Sequence, residues 1–241
     1  MRLSILIFIS TLIIKPAFAQ LGYGPEVGIG MSSMKFAPDQ TFTSASGSAI
    51  FSWRAGGLID FGLNKHIYLH AGVMIAQKGQ NRDFSFYTSD TLNGDVKQTL
   101  TLYYADVPVT VIYKTGNQGS GRFFAGIGAT PAYLFSGTNK ISKETSILGT
   151  SYTTNQNLAV TYRNPVAMFD IGLNLSAGYE LPTGLFFRAY YSASVRDIGL
   201  GTEIDKNRIW GISAGYLLGK GRNINKEADD LIDRTELDSD K

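Results

Sequence analysis

The chain has 241 residues, with 22 Lys and Arg against 20 Asp and Glu, no cysteine, 27 glycines and 12% aromatics. Without cysteine there are no disulfides and no lipoprotein leader, and the near-balance of charge leaves no basic footprint for nucleic acid. Beyond the first residues no apolar run reaches the ~20 residues that a transmembrane helix needs, so an integral membrane protein of this sequence can only be a closed barrel.

Arg2 supplies a short positive start, Leu3 to Ile14 an apolar run too short to span a bilayer, and Ala17-Phe18-Ala19 a small-x-small cleavage site. This pattern predicts a secretory signal over residues 1–19, followed by a barrel over 20–219 and a charged tail over 220–241. An uncleaved anchor would need a longer apolar run. Without Arg2 and Lys15 the remainder carries 20 basic and 20 acidic residues, a formal charge of zero.

The chain then divides into eight candidate strands, roughly Tyr23–Ser32, Ala49–Leu63, Ile67–Lys78, Thr99–Lys114, Arg122–Phe135, Val166–Leu181, Leu185–Arg196 and Arg208–Leu218. Each exceeds or matches the ~9–11 tilted residues that cross a bilayer. Their connections alternate in length. Residues 33–48, 79–98, 136–165 and 197–207 are long and rich in Ser, Thr, Asn, Gln and Gly, whereas those at Asn64, Thr115 and Pro182 are short. Long loops face outward and short turns face the periplasm in outer-membrane barrels. Both termini are therefore expected in the periplasm.

The stretch from Phe169 to Val195 shows the alternation best. Phe169, Ile171, Leu173, Leu175, Ala177, Tyr179 and Leu181 alternate with Asp170, Gly172, Asn174, Ser176, Gly178 and Glu180, and the pattern resumes after Pro182-Thr183-Gly184. A soluble sandwich would set Lys and Glu on its second face. Gly, Ser and Asn with isolated charges fit a narrow polar lumen, and the apolar face then meets lipid. The expected fold is all-β, an eight-stranded antiparallel transmembrane β-barrel.

Outward positions are expected at odd numbers in the first seven strands, among them Val27, Ile29, Phe51, Ile59, Val73, Val109 and Ile127, and at even numbers in the eighth, such as Ile212 and Leu218. No charge falls on this face except Arg208 at a rim. The inner face holds Glu26, Arg54, Asp60, Lys78, Asp106, Lys114, Arg122, Asp170, Glu180, Arg188 and Arg196, together with His70. Arg or Lys facing lipid at midplane costs ~2–4 kcal/mol, which accounts for the segregation. Outward aromatics gather at two depths. Tyr23, Phe61, Tyr113, Phe123, Tyr179, Phe187 and Tyr216 lie near the short turns, while Phe51, Trp53, Tyr103, Tyr133, Phe135, Phe169 and Trp210 lie nearer the loops. Two such girdles mark two membrane interfaces.

For Leu63 and Ile67 both to face lipid, the second hairpin needs the three-residue loop Asn64-Lys65-His66. That register sets Asp60 across from His70 in the lumen, where a hydrogen bond is expected. Glu180 and Arg188, diagonal across the last short turn, are expected to interact. Pro108 removes a ladder donor and predicts a bulge or break in the fourth strand.

From here the chain resembles a known family. YYADVPVTVIYK (Tyr103 to Lys114), FFAGIGATPAYLFSG (Phe123 to Gly137), FDIGLNLSAGYEL (Phe169 to Leu181), RAYYSASVRDIG (Arg188 to Gly199) and KNRIWGISAGYLLG (Lys206 to Gly219) resemble the PorT-like outer-membrane β-barrel domain family of Bacteroidota. The resemblance implies a barrel of the size of OmpA and OmpX. PorT itself acts in type IX secretion, a role that barrel motifs do not transfer. Many outer-membrane barrels end on an aromatic residue in the last strand, whereas this chain continues past Leu218. The tail from Glu227 onward has seven acids against Arg234 and Lys241. It reads as solvated and disordered. The alternative is a short docking helix with Ala228, Leu231, Ile232 and Leu237 on one stripe.

An eight-stranded wall encloses a space that side chains fill. Five acids and six bases there should pair, since unpaired buried charge is expensive, and this predicts a plugged lumen rather than a pore. Catalysis is poorly provided for. The two histidines, His66 and His70, lie at the turn end, and residues four apart on a strand are ~13 Å apart, too far to share a metal. HIYLH lacks the Glu of the zinc-protease motif. Asp197, Glu203 and Asp205 could serve only a carboxylate-type hydrolase. No catalytic, cofactor or metal residue is therefore assigned.

The remaining classes are a structural or interaction barrel working through its outer loops, a PorT-type secretion component, and a disfavoured lipid-modifying hydrolase. Outer-membrane lipid is the expected environment, a periplasmic or secretion-machinery protein the expected partner class, and a monomer the expected state. The loop from Ser136 to Arg163, with Lys140, Lys143, Glu144, Tyr152 and Tyr162, is the candidate contact surface.

Overall fold

The structure, a computed structural model, describes residues 21–35, 44–89, 92–117, 119–147, 150–160, 168–198 and 206–219. The predicted signal and acidic tail lie outside the described residues. Among the described residues ten strands form: β1 (Leu21–Lys35), β2 (Ser44–Gly62), β3 (Ile67–Ser89), β4 (Leu92–Asp106), β5 (Val109–Lys114), β6 (Arg122–Ile147), β7 (Thr150–Ala159), β8 (Phe169–Glu180), β9 (Leu185–Ser194) and β10 (Lys206–Tyr216).

All pairings are antiparallel, and β1 closes on β10 from Glu26↔Gly215 to Lys35↔Lys206. With β4 and β5 sharing one place in the wall, the ring has eight members: β1, β2, β3, β4/β5, β6, β8, β9 and β10. Closure removes every edge within the ring. The predicted break lies at Val107 and Pro108, and it inserts no residue. Asp106 pairs with Met74 and Val109 with Ala71, so the register runs straight through. The Pro108 carbonyl still accepts from Gly72 N at 3.0 Å, and only the missing proline N–H interrupts the ladder.

Three irregularities fall elsewhere, one of them between Tyr87 and Ser89 at the tip of the β3–β4 hairpin and two nearer the ring. β2 holds one extra residue between Ala49 and Arg54, and β6 holds one at Phe135, where Tyr103 pairs with Ser136 but Tyr104 with Leu134. Both lie on the loop side, where bulges bend and twist strands leaving the cylinder. The expected three-residue turn is present. Leu63 N donates to Ile67 O at 2.9 Å, and Asn64 Oδ1 accepts from His66 N and Ile67 N at 2.9 and 2.7 Å. At the last short turn Gly184 has φ +93°, where a Cβ would also lie 2.5 Å from Leu217 O.

Part of what the sequence presented as loop is strand. β3 and β4 extend the wall over most of 79–98, and β6 with β7 turns 136–159 into a hairpin. β7 is exposed on both faces, and along β3 the face that stays buried past Lys78 carries the polar Gln80 and Arg82, so hydropathy does not mark these segments even though Thr, Tyr and Ser pair readily as strands.

The outer face is as the alternation requires. Val27, Ile127, Val73 and Ile212 are 60–63% exposed, and Arg208 is exposed at the rim. Inside, two apolar clusters occupy opposite ends. Leu58, Tyr68, Ile112, Phe124, Phe186 and Leu217 lie at the turn end, and Met34, Leu100, Leu102, Tyr104, Ala132, Leu134, Val160 and Ile198 at the loop end.

Candidate functional site: the lumen and the projecting hairpin

Beside and between the two apolar clusters the inward residues of the ring, even-numbered except on β10, bring their polar groups together. Lys114, at the end of β5, donates to Asp60 of β2 and, at 2.8 Å, to Glu180 of β8. Arg122, the first residue of β6, reaches Glu180 at 2.8 Å and Tyr68 Oη at 2.8 Å. The Tyr68 ring lies beneath the Lys114 ammonium at 4.3 Å.

A second layer centres on Glu26 of β1. Arg54 holds one carboxylate oxygen and Arg188 Nη1 lies 3.3 Å from the other. Arg188 Nη2 donates toward His70 Nε2 at 3.1 Å, and the Arg54 guanidinium covers the Tyr190 ring at 3.7 Å. Above it Thr110, Asn174 and Thr130 form a chain at 3.0 and 2.8 Å. Nearest the loops, Lys78 donates to Asp106 at 2.9 Å, and Asp170 accepts from Ser194 at 2.6 Å and Asn207 at 2.9 Å.

The structure thus puts Glu26, Asp60, His70, Asp106, Asp170, Glu180 and Arg188 inside and buried, with Arg54 beside them at 15% side-chain exposure. Three expectations change. Arg196 is exposed, because β9 ends at Ser194 and the chain bends away from the wall, after which parity no longer sets direction. Asp60 does face His70, but the Oδ1–Nδ1 separation of 3.8 Å is beyond a hydrogen bond, and Lys114 takes Asp60 Oδ2. Glu180 is gripped by Lys114 and Arg122, while Arg188 reaches Glu26. Gln80, Arg82 and Asn207 are further buried lumen residues. For Gln80 and Arg82 the signal was the even parity of β3 continuing past Lys78.

Every girdle residue lies on the outer wall. Tyr23, Tyr113, Phe123, Tyr133, Phe169, Tyr179, Phe187, Trp210 and Tyr216 are exposed, and Trp53 and Phe61 are half-buried. Phe123, Tyr179 and Phe187 stand side by side across β6, β8 and β9, the first two edge-on at 4.8 Å. Trp53 Nε1 donates to Gln77 Oε1 at 2.8 Å, which satisfies the indole at its interface.

His66 stacks on Tyr113 at 5.7 Å with Nδ1 3.0 Å from Lys114 O, a structural setting. Among the described residues no three His, Asp or Glu converge as a metal site. Asp197 is exposed, and Glu203 and Asp205 lie outside the described residues.

Beyond the wall, β2, β3, β4, β6 and β7 continue as one polar sheet. Asn81 accepts from Thr99 at 2.9 Å, Gln98 donates to Asn139 at 3.0 Å, and outward charges appear at Asp83, Asp95, Lys97, Lys140 and Glu144, while Lys143 lies on the inner face with its ammonium 5.3 Å over the Phe86 ring. Among the described residues β7 pairs with β6 alone, and all ten of its residues are exposed.

Residues 18–200 match the family profile described as outer membrane protein beta-barrel domain. No curated protein matches the chain. Among solved structures, the chain is similar to Ail, the attachment invasion locus protein of Yersinia pestis, at 17% identity and TM-score 0.34, covering 83% of this chain and 99% of that one. It is also similar to OprG of Pseudomonas aeruginosa, at 11% identity and TM-score 0.39, covering 82% and 94%. Neisserial surface protein A aligns at 10% identity and TM-score 0.37, covering 80% and 96%. Likenesses at these scores add nothing to the profile match, which spans most of the chain and agrees with the closed ring, its charged interior and its apolar exterior: the protein belongs to the outer membrane protein beta-barrel domain family and is a small outer-membrane β-barrel.

Proposed function

We propose that this protein is a non-enzymatic, monomeric outer-membrane barrel that engages a polypeptide partner through the β6–β7 hairpin. In this reading the signal is removed after Ala19, both termini lie in the periplasm, and the hairpin projects from the cell surface. The short turns at one end and the extended strands at the other support that orientation.

The observation that carries the reading is the outer edge of β7. Its sequence, TSYTTNQNLA, has no charge and no proline, and its partner on the other side is absent among the described residues. Native edges are ordinarily blunted by Lys, Pro, bulges or a covering element. An edge rich in Thr and Tyr without these devices is suited to pair with an extended segment, through main-chain hydrogen bonds and alternate side chains. The lumen supports a non-conducting role. Apolar clusters occupy both ends, and two cavities lined by lumen residues measure about 30 and 10 Å³.

Replacing Thr138–Ala159 by a short turn tests the reading. Insertion and heat-modifiable gel mobility should persist, while proximity labelling from the barrel should lose a distinct set of surface neighbours. An unchanged set removes the proposal. The motif resemblance to PorT-like barrels supplies a second reading, a secretion component. Loss of type IX export in a deletion strain, with export insensitive to the hairpin, would favour that reading.

A further inference from the structure

Above the Glu26 layer the lumen widens into a chamber of about 30 Å³ lined by Arg54, Ser176, Arg188 and Tyr190 among other residues. These four residues have something else in common. Arg54 Nε, Ser176 Oγ, Arg188 Nε and Tyr190 Oη are all buried atoms with no hydrogen-bond partner in the protein. Arg188 and Tyr190 are 8% and 6% exposed, so bulk water does not satisfy them. Both arginine nitrogens are donors only, and the two hydroxyls are free to donate. Leaving four such groups unpaired at one cavity would be costly.

Charge decides what they hold. Two guanidiniums flank the single Glu26 carboxylate, which leaves this layer one positive charge in excess. Asp106, which also lines the chamber, is neutralised by Lys78 at 2.9 Å, and Asp170, held by the neutral donors Ser194 and Asn207, is not among the lining residues and lies nearer the loops. A cavity of about 30 Å³ accepts roughly two waters, at ~10–15 Å³ each, or one halide of comparable bulk. Water would satisfy the donors but leave the charge. We propose that the chamber is a binding site for a small monovalent anion of the chloride class, which completes the lumen plug between Arg54, Arg188, Ser176 and Tyr190.

The test uses the full barrel in detergent and bromide as probe. Crystals soaked in sodium bromide should show an anomalous peak in the chamber, and the unfolding midpoint, read by heat-modifiable mobility, should rise in sodium bromide over sodium gluconate at equal ionic strength. Gluconate is too large to enter. The paired variant Ser176→Ala with Tyr190→Phe keeps the volume nearly constant and should fold, yet it should lose most of the bromide-dependent rise. Ordered waters without bromide would overturn the proposal. So would a midpoint rise that survives the paired variant, which would place the halide effect elsewhere. Bromide in the chamber with a midpoint indifferent to halide would mean an adventitious ion only, and would overturn it too.

Discussion

The wall that meets lipid and the sheet that rises above it share strands β2, β3, β4 and β6, yet they obey opposite rules. Within the wall an outward position carries Val27, Val73 or Ile127, and charges such as Asp106 and Arg122 turn inward. A few residues further along the same strands, Asp83, Lys97 and Glu144 face outward. The backbone pairing hardly changes across this line. What changes is the medium outside: hydrocarbon excludes charge, whereas water tolerates it on either face. Energy is stored differently as a result. In the wall a few cross-lumen ion pairs are sealed from solvent, and in the sheet polar contacts such as those of Gln98 and Thr99 are neutral, only part-buried and individually weak.

The sharpest way to break this contrast is to remove Glu26. Glu26→Ala leaves Arg54 and Arg188 without their shared carboxylate, and unfolding by denaturant should show a loss of ~3–5 kcal/mol, the usual penalty for orphaning a buried charge. Removing Glu144 from the upper part of β6, where it is exposed, should cost far less in the same assay.

Next in size is charge facing lipid. Ile127→Arg, at a site 62% exposed to the outside, should cost ~2–4 kcal/mol if it sits at midplane. Tyr152→Arg on β7, at a site 57% exposed, should leave stability in lipid vesicles nearly unchanged. Equal costs at both positions would mean that the two regions share one medium.

Packing comes third. Gly211 pairs with Gly30 at the β1–β10 seam, and a Cβ there would meet Ile29 O at 2.2 Å and Tyr190 Oη at 2.8 Å. Gly211→Val should therefore destabilise by ~1–3 kcal/mol through overpacking and lower the midpoint of heat-modifiable mobility. The smallest effect on stability is expected at the free edge. Thr154→Pro should leave barrel folding intact by gel mobility while abolishing strand addition along β7, read as loss of hairpin-dependent labelling.

Reading the sequence alone located the ring strands, the break at Pro108 and the turn at Asn64. It lost the polar sheet, because β-structure wetted on both faces has no hydropathy signature, as Thr150–Ala159 shows. It also misjudged Arg196, since parity holds only while a strand stays in the wall.

The order of the residues by itself determined which side of each ring strand meets lipid. Hydrocarbon forbids charge strongly enough to write a period of two into the chain. It did not determine which charges meet inside. Glu26 faces both Arg54 and Arg188 only because closure sets β1 between β2 and β10 and lets β9 reach across the lumen. Long side chains in a narrow cylinder have several partners within reach, and the choice among them depends on strand register and on neighbouring bulk such as Tyr68 and Tyr190. Those are properties of the assembled barrel.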